Sequence, residues 1–391
     1  MCIMTTILED IKKTKKIGLL IHSGGQTFSN GILQNAYFMY QLFTKLGIEC
    51  TFLCHDENPK PFEYKNIPLV QLSTNELIFN ASEYFMIITI TSCISREIYD
   101  IFKKYKIAVV SFICGNNLMH DLEDFVRGSR NGMSSFIGKG NPTDELWVIP
   151  SYSHSLDYLE LCRGKPAYII PHLWSPDIIR DNILQYYKRD DSIIHYNLEN
   201  HVGKKIEIIV LEPNMAIFKE CWIPYVAAEK LEQTHPELLE QVWLFNFPDT
   251  SRAWNMVDNM DVRKKTRIFK RLTIPEILVN FNIKKDTMPI FVSHQILNEL
   301  NYLYYELLYY GYPLVHNSTM LEGCGYYYPQ HDVVKCAEAI VHAHKHHNKN
   351  LATYKDKADA YINKIHPLND DMAKVWTQMM NESVMRAQSA T

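Results

Sequence analysis

Residues 293–318 read S-H-Q-I-L-N-E-L-N-Y-L-Y-Y-E-L-L-Y-Y-G-Y-P-L-V-H-N-S, and this stretch limits the fold more than any other. A polar start gives way to an amphipathic helix, expected over 299–310. Gly311 stops that helix, Pro313 bars its resumption, and Leu314 and Val315 open a short apolar strand. A helix that runs through a glycine stop into a buried strand is half of a β-α-β unit, the signature of a parallel sheet. In such sheets ligands bind beyond the carboxyl ends of the strands. The loop that leads into this helix lies at that edge. Backbone N–H groups at a helix start meet phosphate well, and the Glu306 carboxylate can reach a ribose diol. The segment therefore points to a nucleotide-type ligand.

The same rhythm runs through the rest of the chain. Apolar runs at 16–22, 49–53, 84–91, 108–113 and 145–149 read as strands, with helical patterns at 28–46 and 96–105 between them. Residues 172–204 break the rhythm with Pro176 and the charged run Lys188-Arg189-Asp190-Asp191. A second series follows, with strands near 205–211, 242–247, 267–269, 289–292 and 313–316, and a helix expected over 216–232. The expected organisation is an N-terminal Rossmann-like domain (1–172), a linker (173–204), a C-terminal Rossmann-like domain (205–368) and a closing helical segment (369–391) that packs back on the first. The fold class is α/β, two doubly wound parallel-sheet domains facing across a cleft.

With 391 residues, the chain is long for one core and suits two. Hydrophobic residues make up 47% and charged residues 21%, which marks a folded chain. A net charge of −4 provides no field for nucleic acid or anionic lipid. The nine cysteines are odd in number and scattered, several within apolar runs, which suits reduced thiols in the cytoplasm. No apolar stretch reaches the roughly 20 residues needed to span a bilayer. A cytoplasmic protein is expected, with peripheral membrane contact left open.

Motifs narrow the chemistry further. Gly24-Gly25 follows the first strand and lets backbone approach a ligand, though a plain tight turn explains the pair equally well. It is not a G-x-G-x-x-G fingerprint, and the chain has neither a G-x-x-x-x-G-K-[ST] loop nor a G-x-S-x-G elbow. His342, His344, His346 and His347 form a run that could bind metal, but no carboxylate or cysteine partners join them, and a solvated helix face is the simpler reading. Lys219, placed a turn into the helix expected after the first strand of the second series, can reach a diphosphate as a point charge.

In order, the elements are strand–Gly24-Gly25–helix, His120, Y-I-I-P-H-L-W-S-P (168–176), V-L-E-P-N-M-A-I-F-K ending at Lys219, E-L-L-Y-Y-G-Y-P-L-V-H-N-S from Glu306, and G-Y-Y-Y-P-Q-H-D. This order resembles the GT-B glycosyltransferases, in particular the retaining branch with glycogen synthases and phosphatidylinositol mannosyltransferases. It is also similar to a glycosyltransferase-like group of bacteria and large DNA viruses. The resemblance spans residues 16–365 and is most specific from Glu306 to Ser318. It implies that Lys219 holds the donor diphosphate and Glu306 the donor ribose. It also implies that Arg271, Leu272 and Thr273 lie in the nucleobase loop and His120 beside the transferred sugar. Gly24 and Gly25 join the donor-binding set. So do His294, Asn298, Glu299, Leu300 and Asn301 around the start of the helix. One departure stands out: the family's first glutamate, eight residues before the second, is Asn298 here, and Glu299 comes one residue late.

The implied reaction is transfer of a hexosyl or pentosyl group from a nucleoside-diphosphate sugar to a glycan or other acceptor, as in glycan biosynthesis. Retention is expected, with neither metal nor cofactor, since Lys219 and helix N–H groups would stabilise the departing diphosphate. An inverting enzyme would instead need a base such as His120 or Asp121. Two rivals remain: a nucleotide-sugar epimerase on the same fold, and a catalytically degenerate GT-B module that only binds nucleotide or glycan.

Overall fold

The computed structural model describes residues 10, 12–22, 31–73, 75, 80–127, 142–201, 205–282 and 287–389. The chain forms two compact units, Met1–Ser175 with Asn363–Thr391, and Pro176–Ile362. Gly24 and Gly25 lie outside the described residues.

The first unit is built on a seven-stranded parallel sheet. Its elements are β1 (Lys16–Leu20), α1 (Gly31–Lys45), β2 (Cys50–Cys54), β3 (Leu69–Gln71), β4 (Tyr84–Ile90), α2 (Arg96–Lys104), β5 (Ala108–Ile113), α3 (Asn117–Arg127), β6 (Glu145–Val148), α4 (Leu156–Arg163) and β7 (Ala167–Ile169). The spatial order is β3-β2-β1-β4-β5-β6-β7. The strands are apolar along their length because helices cover both faces; every residue of β4 is buried. Gly18 shows how closely β1 is held, since a Cβ there would stand 2.6 Å from Leu53 and 2.7 Å from Ile87. The closing helix of the chain, α11 (Asp370–Ser389), also lies in this unit. Its Trp376 is fully buried among Trp147, Phe43 and Phe112, with ring centroids 5.8, 6.1 and 6.5 Å away. Arg386 of the same helix donates two hydrogen bonds to the buried Glu145 carboxylate, at 2.7 and 3.0 Å.

The second unit starts earlier than the sequence pattern suggests. Residues expected to be a linker contain α5 (Asp177–Tyr187) and short helical turns. Ile178, Ile179, Ile183 and Ile194 are buried there, so this stretch is core and not tether. The sheet elements follow as β8 (Lys205–Val210), α6 (Trp222–Thr234), β9 (Leu239–Phe245), α7 (Ser251–Asp258), β10 (Thr266–Phe269), α8 (Ile274–Asn282), β11 (Thr287–Val292), α9 (Tyr302–Tyr309), β12 (Leu314–His316) and β13 (Tyr326–Tyr327). The long helix α10 (Val333–Ile365) then leads back to α11. All pairings are parallel, in the order β10-β9-β8-β11-β12-β13.

Two helices begin later than their hydrophobic patterns indicate. α9 starts at Tyr302 because Asn301 is its N-cap, with extended backbone and a side chain that accepts the Leu303 N–H at 3.2 Å. Before it, Asn317 and Gln295 side chains take up the backbone groups of the loop: Gln295 N–H donates to Asn317 Oδ1 at 2.9 Å and Asn298 N–H to Gln295 Oε1 at 2.6 Å. α6 starts at Trp222, not within 216–221. Asn214 sits at φ 52° and its Oδ1 accepts the Cys221 N–H at 2.8 Å. Glu220 accepts the N–H groups of Trp222 and Ile223. Gly311, at φ 78°, ends the turn after α9 as its sequence position requires.

Candidate functional site

The second sheet reverses its direction of growth between β8 and β11. Strands β9 and β10 extend it on one side, and β12 and β13 on the other. Ligands of open α/β sheets bind at such a switch point, beyond the carboxyl ends. Here the two strand ends are tied together by Glu212, two residues past β8. Its Oε1 accepts hydrogen bonds from the Ser293 hydroxyl and, at 3.4 Å, from the His294 N–H, both just past β11. Ser293 Oγ also lies 2.9 Å from the Tyr304 hydroxyl of α9. Glu212 is 1% exposed and its Oε2 has no hydrogen-bond partner among the described residues. Burial pushes its carboxyl up to about 7, against the Ser293 hydrogen bond and the nearby Lys219 ammonium, which both favour the charged form.

Lys219 lies in the turn before α6, in a bridge with Ala216, and not on the helix. It is half-buried. Desolvation lowers its pKa, and the Glu212 charge opposes that shift. The expected diphosphate lysine therefore does lie at the switch point, but with a carboxyl neighbour that the sequence reading left out of the site.

Glu306 is on α9, buried. Its carboxyl makes no hydrogen bond or ion pair with any described residue, and burial alone pushes it up to about 8. A buried acid without a partner is costly, which makes Glu306 the most conspicuous functional candidate of the unit.

The other expected donor-site residues are more engaged. His294 is fully buried; its Nδ1 is 2.8 Å from the Tyr328 hydroxyl and its Nε2 2.9 Å from His331 Nδ1. Both ring nitrogens are thus used inside the protein, and burial together with His331 holds its pKa down at about 4. Asn298 is 2% exposed in the loop before α9. Glu299 is committed to the chain beyond β12, accepting the Thr319 N–H at 2.6 Å through its carboxylate and the Ser318 hydroxyl at 2.9 Å through its carbonyl. Leu300 is buried, and Asn301 caps α9. Arg271 and Leu272 are exposed beyond β10. Thr273 precedes α8, and its N–H and hydroxyl both donate to the Glu276 carboxylate, at 2.8 and 2.7 Å, the return half of a capping box.

In the first unit the switch point lies between β1 and β4, where His22 Nε2 is 2.9 Å from the Thr91 carbonyl. His120 is half-buried in the first turn of α3, beyond β5. Its neighbour Asp121 is buried, accepts the Tyr158 hydroxyl at 2.8 Å, and is raised by desolvation.

The histidine run divides. His347 is buried, with Nε2 3.0 Å from the Gly311 carbonyl and Nδ1 3.0 Å from the Tyr326 hydroxyl. His342 and His346 line a groove of 420 Å³ with Lys230, His235 and Lys345. Among the described residues, no group of three or more His, Cys, Asp or Glu is placed to hold a metal ion. No helix among them is long and apolar enough to cross a membrane.

The sequence profile of a family described as "Protein of unknown function (DUF2827)" matches residues 16–380. The chain belongs to this family. No curated protein matches the chain. Solved structures do. HepE of Anabaena, in complex with UDP and glucose, is 12% identical over 96% of this chain and 100% of its own, with a TM-score of 0.53. An alpha-glucosyltransferase, in complex with UDP and a 13-mer DNA, is 12% identical over 95% and 100%, with a TM-score of 0.54. Sucrose-phosphate synthase of Thermosynechococcus elongatus is 11% identical over 94% and 98%, with a TM-score of 0.55. At such identities the likeness speaks to the fold: this DUF2827 member has the two doubly wound units of the GT-B glycosyltransferases.

Proposed function

We propose that this chain is a glycosyltransferase that takes a sugar from a nucleoside-diphosphate donor bound at the carboxyl edge of its second sheet. The observation that carries the reading is Glu306, a buried carboxyl with no hydrogen bond or ion pair to any described residue, on the helix that follows the switch-point strand β11. A ribose diol offers two hydroxyl donors to such a carboxylate. Lys219 supplies the positive charge for the diphosphate. As the glycosidic bond breaks, negative charge grows on the departing diphosphate, and a cation fixed there lowers the barrier. Several structures that share the fold were solved with UDP, HepE among them with UDP-glucose.

In this reading the reaction is retaining and needs no metal, and the acceptor is a glycan or glycoconjugate. His120 or Asp121 would serve as base only if the outcome were inversion. A second reading, a GT-B module that binds without turnover, is favoured by two observations. The neutral Asn298 stands where the family resemblance calls for an acid, and the adjacent His294 has both ring nitrogens bonded within the protein.

The test is a thermal-shift screen of UDP-, GDP- and dTDP-sugars, followed by product analysis with oligosaccharide acceptors. The proposal expects at least one donor to raise the melting temperature and to be consumed with transfer. Binding without consumption would favour the second reading, and no shift with any donor would overturn both.

A further inference from the structure

Several loops that leave the second sheet at its carboxyl edge are held in unusual backbone. Those past β8, β9, β11 and β13 each carry a non-glycine residue in the left-handed region: Asn214 at φ 52°, Asn246 at 55°, Leu297 at 50° and Gln330 at 48°. Asparagine enters that region readily, whereas leucine and glutamine do so at a cost, and such strain collects where a site must be held in shape. Gln330 is fixed through its carbonyl, which accepts an Asn317 Nδ2–H at 2.9 Å. The same amide donates to the Gln295 carbonyl at 2.7 Å and so joins the loops past β11 and β13. Two residues after Gln330, the Asp332 carboxylate accepts the Lys335 N–H at 2.9 Å at the start of α10. The residue fixed between these two anchors is His331, which is exposed.

A chain of buried groups orients the His331 ring. Its Nδ1 lies 2.9 Å from His294 Nε2, His294 Nδ1 lies 2.8 Å from the Tyr328 hydroxyl, and that hydroxyl lies 3.2 Å from the Ser293 carbonyl. His294 and Tyr328 are both fully buried, so the His294 ring is neutral. The carbonyl can only accept. Tyr328 therefore gives its proton there, and the His294 Nδ1–H donates to the Tyr328 oxygen. His294 Nε2 is then an acceptor, and His331 Nδ1 must carry the hydrogen between the two rings. In a neutral His331 ring the lone pair stands on Nε2, which makes no hydrogen bond with any described residue.

We propose that His331 is a specificity residue of the donor site, whose Nε2 accepts a hydrogen bond from a ring hydroxyl of the transferred sugar. The lone pair selects that partner: a diphosphate diester has no proton to give, and the ribose diol is already matched to the Glu306 carboxylate. His294 and Tyr328 act through His331, as positioning residues. The inference rests on the donor-site reading above and adds the sugar contact to it.

The test sets nucleotide against nucleotide-sugar at a single pH: UDP against UDP-glucose and UDP-N-acetylglucosamine, and GDP against GDP-mannose, by calorimetry. The proteins are wild type and His331→Asn. Asparagine places an N–H donor where Nδ1 stands, so it keeps the bond to His294, but it has nothing at the position of Nε2. The ratio of dissociation constants, nucleotide over nucleotide-sugar, should fall about three- to tenfold in the variant, the worth of one neutral hydrogen bond, while the bare nucleotide binds within about twofold of wild type. If the ratio is unchanged, or if nucleotide and nucleotide-sugar lose affinity alike, the inference is overturned while the donor site stands. If wild type binds neither the nucleotides nor their sugars, the donor reading fails and the inference with it.

Discussion

Replacing Glu306 with glutamine should make the protein more stable and worse at binding a donor. Folding holds this carboxyl at about 8 where its ordinary value is 4.5, through burial alone. Between those values the unfolded chain has released the proton and the folded chain has not. The unfolded state therefore binds fewer protons, and stability falls as pH rises through that window. At 1.36 kcal/mol per pH unit, the penalty at pH 7 is about 3 kcal/mol. Glutamine has the same shape and no charge to lose, so Glu306→Gln should recover about 1–3 kcal/mol at pH 7, the spread reflecting the cost of burying an amide. The assay is urea unfolding at pH 5, 6, 7 and 8. Wild type should lose stability along the series and the variant should lose less; part of the slope stays because Glu212 is also raised. Binding should change the opposite way: a charged hydrogen bond to a ligand is worth about 1.5–3 kcal/mol, less about 1.4 kcal/mol to ionise at pH 7 a carboxyl held at about 8, which leaves an affinity loss of up to roughly 15-fold. A variant that is no more stable at pH 7 and shows the wild-type slope would refute the reasoning. It would mean that the Glu306 carboxyl already has a partner in the folded protein.

Trp376→Ala should cost about 3–5 kcal/mol by emptying the space among Trp147, Phe43 and Phe112. Trp376→Phe should cost much less, because the indole N–H has no hydrogen-bond partner among the described residues; urea unfolding followed at the first unit distinguishes the two. Arg386→Leu should cost about 3–5 kcal/mol by leaving the buried Glu145 carboxylate without its ion pair. The double variant Arg386→Leu/Glu145→Gln should recover part of that loss, measured by the same unfolding curves.

Much of this fold is legible in the chain, and the failures have definite causes. Strands such as Tyr84–Ile90 are covered on both faces, so they stand out as unbroken apolar runs. The strands β3, β7 and β13 span three, three and two residues, too few to form a pattern. Hydrophobic periodicity carried α6 and α9 too far toward their N-termini, because it does not see a side chain that claims a backbone N–H. Asn214 and Asn301 do so and delay the helix. The polar composition of residues 172–204 suggested a linker, yet the isoleucines spaced along it are buried.

Lys219 and Glu306 stand out as candidates in the sequence because their position relative to strand and glycine is local. Glu212 went unassigned although its signal was present, an acid directly after a buried strand of a parallel sheet. His294 looked available because its partners, Tyr328 and His331, are 34 and 37 residues away in sequence. No local pattern shows that a ring is sealed by tertiary contacts.

The central claim is that a nucleotide sits at the switch point of the second sheet, and hydrogen exchange of the wild-type chain with and without a saturating UDP-sugar tests it most directly. The account predicts added protection in residues 211–221 and 293–306, which contain Glu212, Lys219, Ser293 and Glu306. Protection confined to the first unit, or found elsewhere in the second while these two segments exchange unchanged, would contradict it.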